Sequence, residues 1–191
     1  MKKLLSALFC TILVFAAVGC SKTTEEPQAI PQIDEPETIT EQSSSVTVDD
    51  FVLTVYTDKN IYTTDEEIEI WADFKYIGSQ DSIEIFHSSD YLVYTIFDGE
   101  RYWNNGFVNT ILISSILTKD VAEHHDFKKS GGWSGDDPDA AFWEEFYSAS
   151  DLRLPAGEYT VTAHVDFSLS DENMLGTRNQ FKTELQITVK E

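Results

Sequence analysis

Histidine supplies the most versatile side-chain chemistry in this sequence, at His87, His124, His125 and His164. The run His124-His125-Asp126 offers two ring nitrogens and a carboxylate, which are donor types that transition metals bind. Neighbouring residues on a strand point to opposite faces, so both rings would reach one ion only where the chain bends. We therefore expect structural roles for these histidines, with His164 on the solvent side of its strand.

Carboxylates crowd a glycine-rich turn at Asp136, Asp137 and Asp139, with Glu144 and Glu145 close behind. Calcium takes roughly six to eight oxygen ligands, and such a turn could supply carboxylates and free carbonyls. The spacing differs from the D-x-D-x-D-G pattern of EF-hands. Two interpretations stay open: a calcium site formed by the three aspartates, or a helix start capped by Asp137 and Asp139, which we favour.

The sequence lacks the residue patterns of covalent catalysis. Gly132-Trp133-Ser134-Gly135 falls short of the G-x-S-x-G elbow of serine hydrolases, because Asp136 stands where the second glycine would be. Cysteine occurs only at Cys10 and Cys20, so the chain beyond them has neither a thiol nucleophile nor a disulfide. No pair of carboxylates is set apart by apolar neighbours, as a glycosidase would require. We therefore expect a protein that is not an enzyme.

Tryptophans are the residues that we expect to anchor a binding surface, since large aromatic side chains commonly do so. They are Trp71, Trp103 and Trp133. The alternative is that each belongs to the hydrophobic core, and the burial of the three side chains decides between the two.

The charge balance is strongly acidic, with 13 Lys and Arg against 34 Asp and Glu and a net charge of −21. Removal of a leader containing Lys2 and Lys3 makes the charge more negative still. Such a surface repels nucleic acid and the anionic face of a membrane, which excludes nucleic-acid binding. It suits a protein that meets cations, basic partners or wall polymer outside the cytoplasm.

The first twenty residues have the organisation of an export signal. Lys2 and Lys3 precede an apolar stretch over residues 4–18, which is shorter than the roughly twenty residues of a membrane-spanning helix. Ala17-Val18-Gly19-Cys20 resembles the lipobox of bacterial lipoproteins. The resemblance implies a signal peptide over residues 1–19 and a diacylglyceryl group, with acyl chains such as palmitate, on Cys20. The alternative is an ordinary secretory signal that happens to precede a cysteine.

Residues 20–45 are expected to form a lipidated cysteine followed by a disordered linker. The segment after Cys20 contains Pro27, Pro31 and Pro36, six acidic residues and no aromatic residue. It cannot bury enough apolar surface to offset the entropy of ordering. We interpret it as a spacer between the lipid anchor and a single domain over residues 46–191.

The domain shows apolar residues with a period of two, which is typical of half-buried antiparallel strands. Several such strands separated by polar turns predict a mainly β protein with the architecture of an antiparallel β-sandwich. The predicted strands span residues 51–56, 68–76, 82–87, 91–97, 110–113, 116–127, 159–169 and 181–189.

One short helix is predicted in an insertion before the last two strands. Asp137 can cap it, and Pro138 fits its first position. The helix would continue over residues 140–147, where Phe142 and Phe146 share one face. A helix with so many aromatic residues must pack against the β domain.

Two short stretches resemble extracellular immunoglobulin-like domains. Lys59 to Ile68 is similar to the entry of their second strand, where a tyrosine packs under a turn, and Leu154 to Tyr159 is similar to the turn that opens their penultimate strand. The resemblance implies an immunoglobulin-like β-sandwich and carries no function with it.

The stretch Lys129 to Asp139, followed by Phe142-Trp143, resembles a group of Bacillus-type surface lipoproteins. This resemblance implies an exported, lipid-anchored protein on the extracytoplasmic face of the cell membrane. The Gly157-Glu158-Tyr159 strand entry has a fainter likeness to the intracellular proteinase-inhibitor family, from which the predicted export departs.

These observations favour a membrane-anchored extracytoplasmic lipoprotein with a non-catalytic binding domain. Its partner would be an envelope protein or a wall component, in addition to the membrane that holds Cys20. Two alternatives are a modulator or inhibitor of an extracytoplasmic protease and a calcium-binding envelope domain that uses Asp136, Asp137 and Asp139.

Overall fold

The computed structural model describes residues 40–106, 109, 111–170 and 178–191. The predicted signal peptide, Cys20 and residues 21–39 of the predicted linker lie outside the described residues, as does Thr110 of a predicted strand. Within the described residues the chain is mainly β, as predicted, with eleven strands and one helix. No helix among them is long and apolar enough to cross a membrane.

Three sheets account for all the described strands. The order is β1-β2-β4-β9 in the first, β3-β11-β10-β6-β7 in the second and β5-β8 in the third. The paired strands are antiparallel except β3 and β11, which run parallel. The elements are β1 (Gln42–Val48), β2 (Phe51–Thr57), β3 (Ile61–Thr63), β4 (Ile70–Tyr76), β5 (Ser82–His87), β6 (Leu92–Phe97), β7 (Tyr102–Asn105), β8 (Ile113–Thr118), β9 (Ala122–Asp126), α1 (Ala140–Ser148), β10 (Gly157–Phe167) and β11 (Asn179–Lys190).

The core lies between the four-stranded and five-stranded sheets. Along β2 and β4, every second side chain is buried, which is the period that the sequence shows. Phe51 of β2 and Phe74 of β4 contact Phe167 of β10, with ring centroids 4.8 and 5.6 Å apart. Aromatic contacts thus join the facing sides of the two sheets, an arrangement consistent with a β-sandwich.

The structure corrects the prediction of one long strand over residues 116–127. β8 ends at Thr118 and β9 begins at Ala122, with Asp120 between them at a φ of 61°. β8 pairs with β5, whereas β9 pairs with β4 in a different sheet. The chain must therefore turn sharply here, although the sequence pattern continues through the turn.

Three strands were not predicted from the sequence pattern. β1 begins at Gln42, four residues before the expected start of the domain at Val46, and its serine-rich sequence gives little hydrophobic signal. β3 has only three residues, and β7 has four. The pairing of β1 along the whole of β2 defines it as a strand.

The start of the helix also differs from the prediction. α1 begins at Ala140 with Asp139 as the preceding cap residue, and Pro138 lies before the helix instead of in its first turn. The Asp139 side chain makes no capping hydrogen bond. Asp137 Oδ1 accepts from the Asp139 N–H at 2.8 Å, so its carboxylate closes a turn ahead of the helix.

Trp103 of β7 attaches the helix to the five-stranded sheet. Its ring lies 5.3 Å from that of Trp143 and 5.6 Å from that of Phe146, both on α1. On its other side it contacts Tyr159 of β10 at 6.1 Å. The indole Nε1 donates to Asp98 Oδ2 at 2.8 Å, so the buried ring has its one polar group satisfied.

Lys129 holds the other end of the helix. Its Nζ donates to the carbonyl oxygens of Phe146 and Ala149 at 2.6 and 2.9 Å, which are among the acceptors that a helix C-terminus leaves without partners. Burial lowers the pKa of Lys129. The ammonium group also lies 4.6 Å from the Phe146 ring centroid.

Trp103→Ala should lower the free energy of unfolding by about 3–5 kcal/mol, because it removes the ring that joins α1 to the sheet and leaves a cavity. Trp133→Ala is the matched control: Trp133 is 43% exposed, and its loss should cost about 0.5 kcal/mol or less. Urea unfolding followed by circular dichroism measures both. Equal losses in the two variants would contradict this role of Trp103.

Candidate functional site

The structure places the three predicted anchor tryptophans in three different environments. Trp103 is only 5% exposed, so its predicted role as a surface anchor is wrong, and it is a core residue. Trp71 is half-buried on the outer face of β4, where it stacks on Tyr56 at 5.4 Å. Trp133 is exposed in the segment before α1 and stacks on Tyr147 at 6.2 Å. The three do not form one surface.

The acidic turn does not gather its carboxylates around a common point. Among residues 40–106, 109, 111–170 and 178–191, no group of three His, Cys, Asp or Glu side chains could hold a metal ion. Asp136, Asp137 and Asp139 are all exposed. The carboxylate of Asp137 accepts from the Asp139 backbone, as described above. The alternative calcium site at Asp136, Asp137 and Asp139 is therefore not assembled in the described residues.

His124 and His125 lie on opposite faces of β9, as strand geometry predicts. His124 is exposed and lies 3.0 Å from Asp73 Oδ1 and 3.2 Å from Asp126 Oδ1. These carboxylates raise the pKa of His124, Asp73 most strongly. His125 shares a hydrogen bond of 2.8 Å with the Tyr91 hydroxyl, and burial lowers its pKa. Their side chains cannot meet at one metal ion.

A recess on the outer face of the five-stranded sheet brings side chains from several strands together. The recess has a volume of about 510 Å³ and lies at one end of β6, β7, β10 and β11. A second recess of about 320 Å³ lies beside it on the same face. Because the two have lining residues in common, we treat them as one sheet groove. The shared residues are Thr95, Asn105, His164 and Lys182.

Strand register builds the groove as three rows of side chains across the sheet. Residues directly opposite each other in paired strands share a face, and the core takes the alternate residues. The rows are Lys182, His164 and Val93; then Glu184, Thr162, Thr95 and Asn105; then Gln186, Thr160, Phe97 and Tyr102.

Ion pairs balance the charges at one end of the groove. Arg178 lies 2.6 Å from Asp166 Oδ2, which also accepts from Gln180. Lys182 lies 3.0 Å from Glu184. Each cation in the groove therefore has a carboxylate partner, in a chain whose overall charge is strongly negative.

His164 lies near the middle of the groove in a half-buried position. Its Nε2 shares a hydrogen bond of 3.0 Å with the Thr95 hydroxyl. Burial lowers the pKa of His164, and the positive charge of Lys182 lowers it further, so the ring is neutral near pH 7. A general base beside a nucleophile needs a third group that orients its other ring nitrogen. Within the part of the chain that the structure describes, no carboxylate does this for His164. The arrangement is suited to hydrogen bonding.

An aromatic pair of exposed Tyr102 and half-buried Phe97 forms the other end of the groove. Tyr102 is 57% exposed, and its ring centroid lies 4.8 Å from that of Phe97. The pairing register of β6 with β7 shifts between Ile96 and Phe97, and two consecutive residues of β7, Trp103 and Asn104, are both buried. Trp103 therefore points inward, and Tyr102 points outward. Sequence reasoning selected Trp103 and missed Tyr102, because strict alternation does not reveal which neighbour faces the core.

No protein-family model, no curated protein and no solved structure matches the chain. The resemblances to surface lipoproteins, to immunoglobulin-like domains and to proteinase inhibitors therefore stay predictions.

Titration of the histidine ring protons by NMR should show a pKa for His164 below its ordinary value of 6.5. Lys182→Gln should raise it, because the variant removes a nearby positive charge. The pKa should nevertheless stay below 6.5, since burial is the larger cause. His124 is the internal control, because its pKa should lie above 6.5 in the same spectra.

The same shift has a consequence for stability. Since folded His164 resists protonation, the unfolded state takes up a proton first as the pH falls below 6.5. The contribution of His164 to the free energy of unfolding should therefore be fully present above pH 6.5 and should decrease as the pH falls toward the folded-state pKa. His164→Gln should remove part of this decrease. A pH dependence of urea unfolding that is unchanged in this variant would contradict the assignment.

Proposed function

We propose that the protein is a membrane-anchored extracytoplasmic lipoprotein whose β domain binds a ligand, without catalysis, through the sheet groove. The observation that carries the binding function is the groove itself, a recess of about 510 Å³ built from four strands. Ligand sites are typically concave, with a few converging polar groups that fix orientation. His164, Thr95 and Asn105 supply such groups on a rigid sheet.

The anchor part of the proposal is supported by the sequence around Cys20. Small residues at Ala17 and Gly19 precede the cysteine in a lipobox-like arrangement. Two acyl chains on one cysteine would hold the protein durably, because each buried methylene contributes roughly 0.8 kcal/mol. The segment between Cys20 and β1, which begins at Gln42, would span about 23–27 Å if flexible, which separates the domain from the lipid headgroups.

We also infer that the domain is immunoglobulin-like. In that fold, the first, second and fifth strands of the basic set share one sheet, while the third, sixth and seventh share the other. Here β2, β4 and β9 are neighbours in one sheet, and β6, β10 and β11 are neighbours in the other. β7 would be the additional strand of variable-type domains, which joins the second sheet beside the third strand.

Tyr159 supports the immunoglobulin-like assignment independently. It lies near the start of β10, and its hydroxyl donates to the Pro155 carbonyl at 2.8 Å. A tyrosine that bonds back to the backbone a few residues upstream is the corner of immunoglobulin-like domains at their sixth strand. Burial raises the pKa of Tyr159 to about 12, so the hydroxyl remains a donor. Tyr62 is also buried beneath a turn and donates to Asp58 Oδ1 at 2.6 Å.

Replacement of the anchoring cysteine tests the location. Cys20→Ser should abolish incorporation of labelled palmitate and shift the protein from the membrane fraction to the soluble extracytoplasmic fraction, because no acyl chain can be attached. Cys10→Ser is the matched control, since Cys10 lies within the predicted signal peptide, and it should leave both properties unchanged. Palmitate labelling that persists in Cys20→Ser would overturn the anchor.

Capture of envelope components tests the binding function. The full chain in detergent, used as bait against solubilised envelope, should retain one saturable component. Asn105→Trp should abolish retention, because a bulky ring at this exposed position fills the groove. Thr47→Trp, at an exposed position on β1 of the other sheet, is the matched control. Equal retention by both variants would exclude the groove as the binding site.

A further inference from the structure

Tyr102 makes the groove unusual among the surfaces of the described chain, because its ring is offered to solvent beside polar side chains. It is 57% exposed, compared with 43% for Trp133 and 44% for Phe142. Phe97 supports the ring from the neighbouring strand. The face of an aromatic ring carries partial negative charge, which attracts the weakly positive C–H groups of a saturated ring. The Tyr102 ring, tilted by 37° against the Phe97 ring, is thus a platform for a flat, partly apolar ligand.

Polar groups extend from this platform along the sheet. Gln186 Nε2 donates to the Thr160 hydroxyl at 2.9 Å, and Thr95 is bonded to His164. Hydroxyl, amide and neutral imidazole groups each combine donor and acceptor capacity. A ligand that matches them would carry many groups that also donate and accept. Hydroxyl-rich ligands meet this requirement, whereas purely apolar ligands do not.

The charges of the groove disfavour an ionic ligand. Its cations Arg178 and Lys182 are paired with Asp166 and Glu184. An anion would have to displace one of these carboxylates and approach a chain with a net charge of −21. A cation would find these two carboxylates already neutralised. Among the described residues, Asp90 also lines the first recess, and Glu158 lies two residues before Thr160 on β10, where it accepts from the Thr188 hydroxyl.

Building on the proposed binding function, we propose that the sheet groove binds an uncharged oligosaccharide, with one sugar ring stacked on Tyr102 and the following rings hydrogen-bonded along the strand rows. An open groove on a sheet suits an extended glycan chain better than a compact metabolite. In the envelope, the ligand would be a glycan strand of the wall or of another surface polymer.

Calorimetric titration of the full chain with cellohexaose and chitohexaose tests the ligand class. The detergent must lack a sugar headgroup, since such a headgroup would compete. We expect saturable binding of at least one hexaose and a loss of affinity of about tenfold or more in Tyr102→Ala. Thr160→Val, which removes a hydroxyl at nearly constant volume, should weaken binding severalfold. Trp133→Ala removes an exposed aromatic ring elsewhere and should leave the affinity unchanged.

Three results would overturn the inference. The first is that wild-type protein with a normal melting temperature binds neither hexaose. The second is that folded Tyr102→Ala binds as tightly as wild type. The third is that the anionic polymer dextran sulfate binds with the same dependence on Tyr102. The capture experiment separates this inference from the proposed function. Suppose that an envelope component is retained by wild-type protein, is not retained by Asn105→Trp, and is not displaced by either hexaose. This result would exclude the glycan as the ligand, while the proposed binding function of the groove would stand.

Discussion

The antiparallel register of β6, β10 and β11 is the constraint on which the rest of the structure depends. In this register, alternate residues such as Val161, Val165 and Ile187 fill the core, and their neighbours form the three rows of the groove. A slip of one residue would exchange the two faces completely. Folding and binding therefore rely on the same strand pairing, and the groove exists because the core is correctly packed.

The second organising contact is the aromatic cluster around Trp103. It joins β7, β10 and α1, and Lys129 closes the far end of the helix. β7 is an edge strand of only four residues, so it gains much of its position from this cluster and not from hydrogen bonding alone. Because Tyr102 precedes Trp103 directly, burial of one ring sets the outward direction of the other.

The sequence predicted the mainly β class and most of the long strands because their apolar residues repeat with a period of two. It did not reveal β1, whose serines carry little hydrophobic signal, or the turn at Asp120, which interrupts an otherwise continuous pattern. Among the candidate site residues, His164 was expected on the outer face and lies there, but its partial burial depends on neighbouring strands. Tyr102 was missed because the irregularity beside Phe97 is a tertiary feature.

The parallel pairing of β3 with β11 brings Ile61 opposite Thr188, across most of the domain's length. Contacts between such distant segments close a large loop, and folding that depends on them is slow. The five-stranded sheet therefore cannot complete its native pairing before β11 has been synthesised, because β11 lies between β3 and β10.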